Sequence, residues 1–229
     1  MKREFLRKLG RAAAVATVGA GVAVVAVQPL AIMSESAFAA KDATLAPEQL
    51  DQINKVSGFF NGFRTLTGQF VQVGPRGNVS NGTFYISKPG KMRFEYNPPS
   101  PYLIVSDGTW VVIQNKKNKR TDHYPLSSTP LKLVLGDDVD LTKEARILDV
   151  ASAEGSITLT LASKNRAVPG RLQIVYNEAT AAVEQWAIVD GEGRRTTVSL
   201  SELKVGGEHD AALFKVRKPR RNRAKDDGR

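Results

Sequence analysis

The stretch that decides the fold is KPGKMRFEYNPPSPYLIVSDGTW, Lys88 to Trp110. Met92, Phe94 and Tyr96 alternate with Lys91, Arg93 and Glu95, so a strand here turns an apolar face one way and a charged face the other. The alternation stops at Pro98-Pro99 and resumes as an apolar run from Tyr102 to Val105. Ser106-Asp107-Gly108-Thr109 then signals a hairpin, because glycine accepts the positive φ of a tight turn. The charged alternates would suit a nucleic acid. The apolar alternates would suit a sheet wrapped around something greasy.

The same period of two runs outward in both directions. TLTGQFVQV (65–73), NGTFYISK (81–88), TWVVIQN (109–115) and KRTDHYPL (119–126) are short, rich in β-branched and aromatic residues, and bounded by turn residues. Further on come ARILDVASA (145–153), SITLTLAS (156–163), GRLQIVYN (170–177), AVEQWAIVD (182–190) and RRTTVSLSELKV (194–205). Asn115-Lys116-Lys117-Asn118 reads as a polar turn and Asp190-Gly191-Glu192-Gly193 as another hairpin. A last short strand is expected near 213–216. One amphipathic helix precedes the strands at about 47–62, with Pro47 and Glu48 in its first turn and Leu50, Ile53, Val56 and Phe60 at helical spacing. After Pro130, Leu131, Leu133, Val134 and Leu135 predict a short apolar helix stopped at Gly136. About eleven strands in series, joined by short turns, predict an antiparallel meander that curls towards a barrel to limit its open edges. Its apolar face is either packed core or the wall of a ligand cavity, and pattern alone leaves both open.

The 229-residue chain suits one domain with room for a core, and 41% hydrophobic residues exclude a multispan membrane protein or a disordered chain. The first 39 residues read as a secretory signal peptide: the basic start MKREFLRKLGR, an apolar run Ala12–Val27, and the A-x-A site Ala37-Phe38-Ala39. The run is short for a membrane span. Cleavage near Ala39 starts the mature chain at Ala40, and Arg7 and Arg11 are too far apart for a twin-arginine signal. The signal's five basic residues against Glu4 and Glu35 take +3 from the formal +10, leaving about +7. Much of that lies in a basic tail, residues 217–229, which reads as a solvated segment or one that meets anionic lipid. Export makes nucleic acid a poor partner. The chain has no cysteine, which excludes disulfides, thiol chemistry and a lipid-bearing cysteine at the cleavage site.

No catalytic or metal residues are predicted. His123 stands beside Asp122, but no G-x-S-x-G motif or metal-spaced cluster accompanies it or His209. Asp137, Asp138 and Asp140 lack the glycine and terminal glutamate of a calcium loop, and read as a polar helix stop and the cap of the next turn. The glycines of VGPRGNVSNG mark a hairpin loop, since no helix follows to cradle a phosphate.

Taken in order, LTGQFVQ (66–72), NGTFYISKPGKMRFEYNPPSP (81–101), YLIVSDGTWVVIQNKKNK (102–119) and STPLKLVL (128–135) resemble the periplasmic outer-membrane lipoprotein carrier family, LolA. The resemblance spans about 45–215. It implies an unclosed antiparallel half-barrel, residues 40–216, whose mouth is covered by helices, with no cofactor. It implies a monomer that takes acylated lipoproteins from an inner-membrane ABC-type release complex. The cargo then passes to an outer-membrane acceptor or to the outer membrane directly. The family often carries Arg before the proline of the Pro-Gly corner and Trp where Phe94 stands. Here Lys88 holds the first position, a point charge without the planar guanidinium fork.

On this resemblance Phe84, Ile86, Met92, Phe94, Tyr96, Leu103, Val105 and Trp110 are expected to wall an acyl-chain cavity, with Leu131, Val134 and Leu135 as the lid face and Lys88 as its latch. The alternative is a lipid-binding or envelope-stress-sensing interaction protein with the same half-barrel. The outer-membrane acceptor of the same fold would need the cysteine this chain lacks, and a hydrolase would have to rest on His123 alone.

Overall fold

The computed structural model describes residues 45–216. The signal peptide and basic tail expected from the sequence lie outside the described residues. Helix α1, Pro47–Asn61, opens with Pro47 and Glu48, and the Gln49 side chain accepts a hydrogen bond from the Ala46 N–H at 3.0 Å. Ile53, Val56 and Phe60 turn inward as their spacing predicts, while Leu50 is exposed.

Eleven strands follow: β1 (Thr65–Val73), β2 (Val79–Ser87), β3 (Lys91–Tyr96), β4 (Tyr102–Asp107), β5 (Trp110–Asn115), β6 (Arg120–Pro125), β7 (Ala145–Ala153), β8 (Ser156–Ser163), β9 (Arg171–Asn177), β10 (Ala182–Val189) and β11 (Arg195–Val205). They form one mainly antiparallel β architecture, a single sheet in the order β6-β5-β4-β3-β2-β1-β11-β10-β9-β8-β7. Two meanders are thus stitched together by β1 and β11, with Phe70 opposite Leu200 and Val73 opposite Thr197. β6 and β7 do not pair, so the barrel is unclosed, and the chain from 126 to 144 links these two edges.

The turns follow their chemistry. The Asp107 carboxylate accepts from the Thr109 and Trp110 N–H groups, both at 2.8 Å, and Gly108 takes a φ of +95°. Asn115 accepts from the Lys117 N–H in the next hairpin.

Two expectations are corrected. The apolar helix predicted at Leu131–Leu135 is a 3-10 turn, Pro130–Leu133, preceded by another at Leu126–Ser128. Five residues between a proline and a glycine are too few to nucleate an α-helix, and they tighten instead. The last short strand expected near 213–216 is also a 3-10 turn, Ala211–Phe214. It lies over the outer face of β3 and β4, where Arg93 Nη1 donates to the Leu213 carbonyl at 3.1 Å. The cap expected at Asp140 is present. Its carboxylate accepts from the Thr142 and Lys143 N–H groups at the start of the one-turn helix α2, Leu141–Glu144.

Candidate functional site

The inner face of the sheet is set by strand parity. Register pairs Phe84 with Phe94 and Ile86 with Met92 across β2 and β3, so these four share one face. The Phe84 and Phe94 rings stack at 5.5 Å, and Phe70 meets Phe94 and Tyr96 edge-on at 5.0 and 4.9 Å.

Two glycines make this aromatic layer possible. Gly68 lies opposite Phe84 and Gly82 opposite Phe70 in the β1–β2 ladder. A Cβ on Gly68 would stand 2.7 Å from the Phe84 ring. One on Gly82 would stand 2.0 Å from the Glu95 carbonyl oxygen and 2.9 Å from the Phe70 ring. Each ring therefore lies over bare backbone on the neighbouring strand.

Above this layer is a chamber of about 590 Å³, counting its open mouth, with no polar lining surface. Phe84, Ile86, Met92 and Phe94 line its floor. Leu172, Ile174, Val183 and Trp186 form the wall from β9 and β10. Phe59, Phe60 and Phe63 from α1 and its exit close one side, and Leu131, Val134 and Leu135 close another.

Lys88 sits at the junction of these covers. Its ammonium donates to the Phe60 carbonyl at 2.7 Å and stands 5.6 Å from the Phe63 ring centroid. Phe60 belongs to the last turn of α1, whose carbonyls lack helical partners, so a cation there satisfies an orphan acceptor at the negative end of the helix. Burial pulls the Lys88 pKa below its ordinary value. The Arg64 charge acts in the same direction and Asp138 opposes both. Two residues on, the Gly90 N–H donates to the Leu135 carbonyl at 2.7 Å. One corner, Lys88-Pro89-Gly90, thus holds both covers, α1 by a side chain and the 131–135 segment by backbone.

Four expected wall residues do not line the chamber. Tyr96 is on the inner face but deeper, behind Phe70, where its hydroxyl donates to Gln72 Oε1 at 2.8 Å and burial raises its pKa far above an ordinary phenol. Leu103 and Val105 lie on the outer face, opposite Glu95 and Arg93, while Ile104 between them pairs with Phe94. Trp110 shares the parity of Val112, the register partner of Val105, so it too belongs to the outer face. The correction has a physical cause. All four residues from Leu103 to Ser106 are buried, because the inner face has the core and the outer face has the Ala211–Phe214 turn over it. A strand covered on both sides carries no alternation to read.

Sequence reasoning missed the far wall. β9 alternates Leu172, Ile174 and Tyr176 as cleanly as β3 does, and that signal was available. The crowding of Phe59, Phe60 and Phe63 at the exit of α1 was also available, since three aromatics in five residues exceed what a helix of this length needs for packing. Of the two histidines, His209 pins the C-terminal segment. Its Nε2 lies 2.8 Å from Thr67 Oγ1, and its ring packs against Tyr85 and Phe214. His123 lies on the edge strand β6, opposite Val112.

Comparison with known proteins bears on this geometry. The family model described as outer membrane lipoprotein carrier protein LolA matches residues 61–217. An outer-membrane lipoprotein carrier protein of Dechloromonas aromatica (strain RCB) is 27% identical over 197 residues, 82% of this chain and 92% of that one. One from Methylococcus capsulatus (strain ATCC 33009 / NCIMB 11132 / Bath) is 29% identical over 178 residues, 72% of this chain and 83% of that one. Among solved structures, a LolA superfamily protein from Nitrosomonas europaea aligns with a TM-score of 0.44 at 10% identity, over 72% of this chain and 96% of that one.

Proposed function

This chain belongs to the LolA family of outer membrane lipoprotein carrier proteins, and from that premise we propose that it is a periplasmic chaperone that shields the acyl chains of lipoproteins between the two membranes. The observation that carries this reading is the wholly apolar chamber under two covers held by one corner. Each methylene taken from water is worth about 0.8 kcal/mol. Two or three chains of ~16 carbons therefore face tens of kcal/mol if they cross water bare, and an apolar wall offsets that. The walls are Phe, Leu, Ile, Val, Trp and Met, which suit floppy chains of no fixed shape.

In this reading Phe84, Ile86, Met92 and Phe94 are the floor that meets acyl chains, and Leu131, Val134 and Leu135 belong to a lid that Lys88 and Gly90 hold shut. Loading draws on an inner-membrane ABC-type release complex, and delivery is to an outer-membrane acceptor or to the outer membrane itself. The carrier works as a monomer.

The test is a release assay. Inner-membrane vesicles holding a radiolabelled triacylated lipoprotein and the release complex are incubated with ATP and the chain from Ala40. A soluble one-to-one complex is expected, and Met92→Glu, which puts a carboxylate on the chamber floor, is expected to abolish it while leaving the fold intact. No complex with a folded chain, when a control carrier works, refutes the carrier reading. Normal transfer by Met92→Glu refutes the assignment of the floor.

A further inference from the structure

Five large hydrophobic side chains are exposed among the described residues, and three of them stand together. Val71 and Val73 share the outer face of β1, and Val79 on β2 is the direct register partner of Val73. Val79 is 66% exposed, Val71 43% and Val73 39%. No cover such as the Ala211–Phe214 turn reaches them, whereas the outer-face apolar residues of β4 are buried. Lone exposed valines mean little, but a cross-strand cluster at a hairpin end marks a contact surface.

The charges around this hairpin indicate the partner. Arg76 sits in the turn between Val73 and Val79 and is exposed. Arg195 lies on β11 with the parity of Thr197, the partner of Val73, and its guanidinium bonds only neutral groups, Thr197 Oγ1 and Gln173 Oε1. Farther along the same end of the sheet, the β5–β6 turn adds Lys117 and Lys119. The carboxylates nearby are already matched: Glu95 by Arg93 and Lys116, Asp190 and Glu192 by Arg194, and Asp122 by Arg120. The result is an apolar tip set in uncompensated positive charge. Its chemical complement is an anionic lipid surface, which takes valines into its interface and draws basic side chains to its headgroups.

We propose that the β1–β2 hairpin, through Val71, Val73, Val79, Arg76 and Arg195, docks the protein reversibly on anionic bilayers. The surface lies on the outer face, away from the apolar chamber, and its action does not require cargo, so it goes beyond the carrier reading. Attraction between the bilayer and the chain turns a search through solution into a search along the membrane.

The experiment is flotation of the chain from Ala40 with vesicles of phosphatidylglycerol and phosphatidylethanolamine, and with phosphatidylcholine vesicles, at low and high salt. Binding is expected to anionic vesicles only and to fall with salt. The double variants Val73→Ser/Val79→Ser and Arg76→Glu/Arg195→Glu are each expected to weaken partitioning by about tenfold or more. All variants keep residues 217–229, so a loss cannot come from the basic tail. Met92→Glu is expected to float like the parent, which separates docking from entry of lipid into the chamber. Parent-like flotation of both double variants overturns the proposal, as does loss of flotation in Met92→Glu alone. Concentration-dependent dimers abolished by Val73→Ser/Val79→Ser, without vesicle binding, would replace the membrane by a second copy of the chain.

Discussion

Replacing Lys88 by methionine removes an ammonium while keeping a flexible side chain of similar reach. Three effects decide the outcome. A hydrogen bond from a charged donor, such as that to the Phe60 carbonyl, is worth about 1.5–3 kcal/mol. The contact with the Phe63 ring adds about 0.5–1 kcal/mol. Against these, methionine recovers part of the cost of burying a lysine that is only 8% exposed. The balance is roughly 1.5 kcal/mol lost from the closed arrangement, about a tenfold rise in the population of open cover. The loss is local, because the corner holds covers rather than strands. Amide hydrogen exchange should therefore speed up about tenfold in 58–63 and 131–135 and stay unchanged in β1, β2 and β10. A uniform change across the sheet, or none at the covers, would refute the view that Lys88 acts as a latch. Lys88→Arg, which offers a planar fork, should slow exchange at the same amides or leave it as it is.

Other outcomes follow from the same geometry. Gly82→Ala drives a Cβ into the Glu95 carbonyl and the Phe70 ring. It should cost about 3 kcal/mol or more and lower Tm by about 10 °C, read by thermal denaturation. Leu103→Asp should free the Ala211–Phe214 turn to proteolysis yet leave uptake of an apolar dye by the chamber unchanged, whereas a change on Met92 should do the reverse. The Asp140 carboxyl is held well below the usual carboxylate range by the Lys143 side chain first, then by the Thr142 hydroxyl and the Lys143 N–H. Its contribution is full above the ordinary value of 3.8 and is lost as the pH falls through the depressed one, so Asp140→Asn should flatten stability against pH only below about pH 4.

Most of the strand plan was legible because most strands keep one wetter face, and alternation reports such a face. The run 145–153 and the run 156–163 match their strands to the residue. β4 was legible as a strand but not in its facing, since the C-terminal turn that buries Leu103 and Val105 is more than a hundred residues away in sequence. The cover at 131–135 was placed correctly but given the wrong helix, because its pitch depends on flanking Pro130 and Gly136 more than on the leucines. Lys88 could be singled out by its place before Pro89. Its partner could not, since the Phe60 carbonyl is backbone and leaves no mark in the sequence.

The seam between β1 and β11 has a consequence for how the chain reaches this shape. Gln69 pairs with Ser201, so the ladder joins segments 132 positions apart, and closing a loop of that length costs about 4 kcal/mol of chain entropy beyond a constant. The two meanders can form from local hairpins, but their union waits until β11 exists. A chain cut before Arg195 would hold ten strands in two unjoined meanders, the first of six ending in a naked β1, with Val71 and Val73 beside unpaired backbone, an edge primed to capture another chain. The last strand made is the one that seals the first, and solubility during synthesis depends on keeping that interval short.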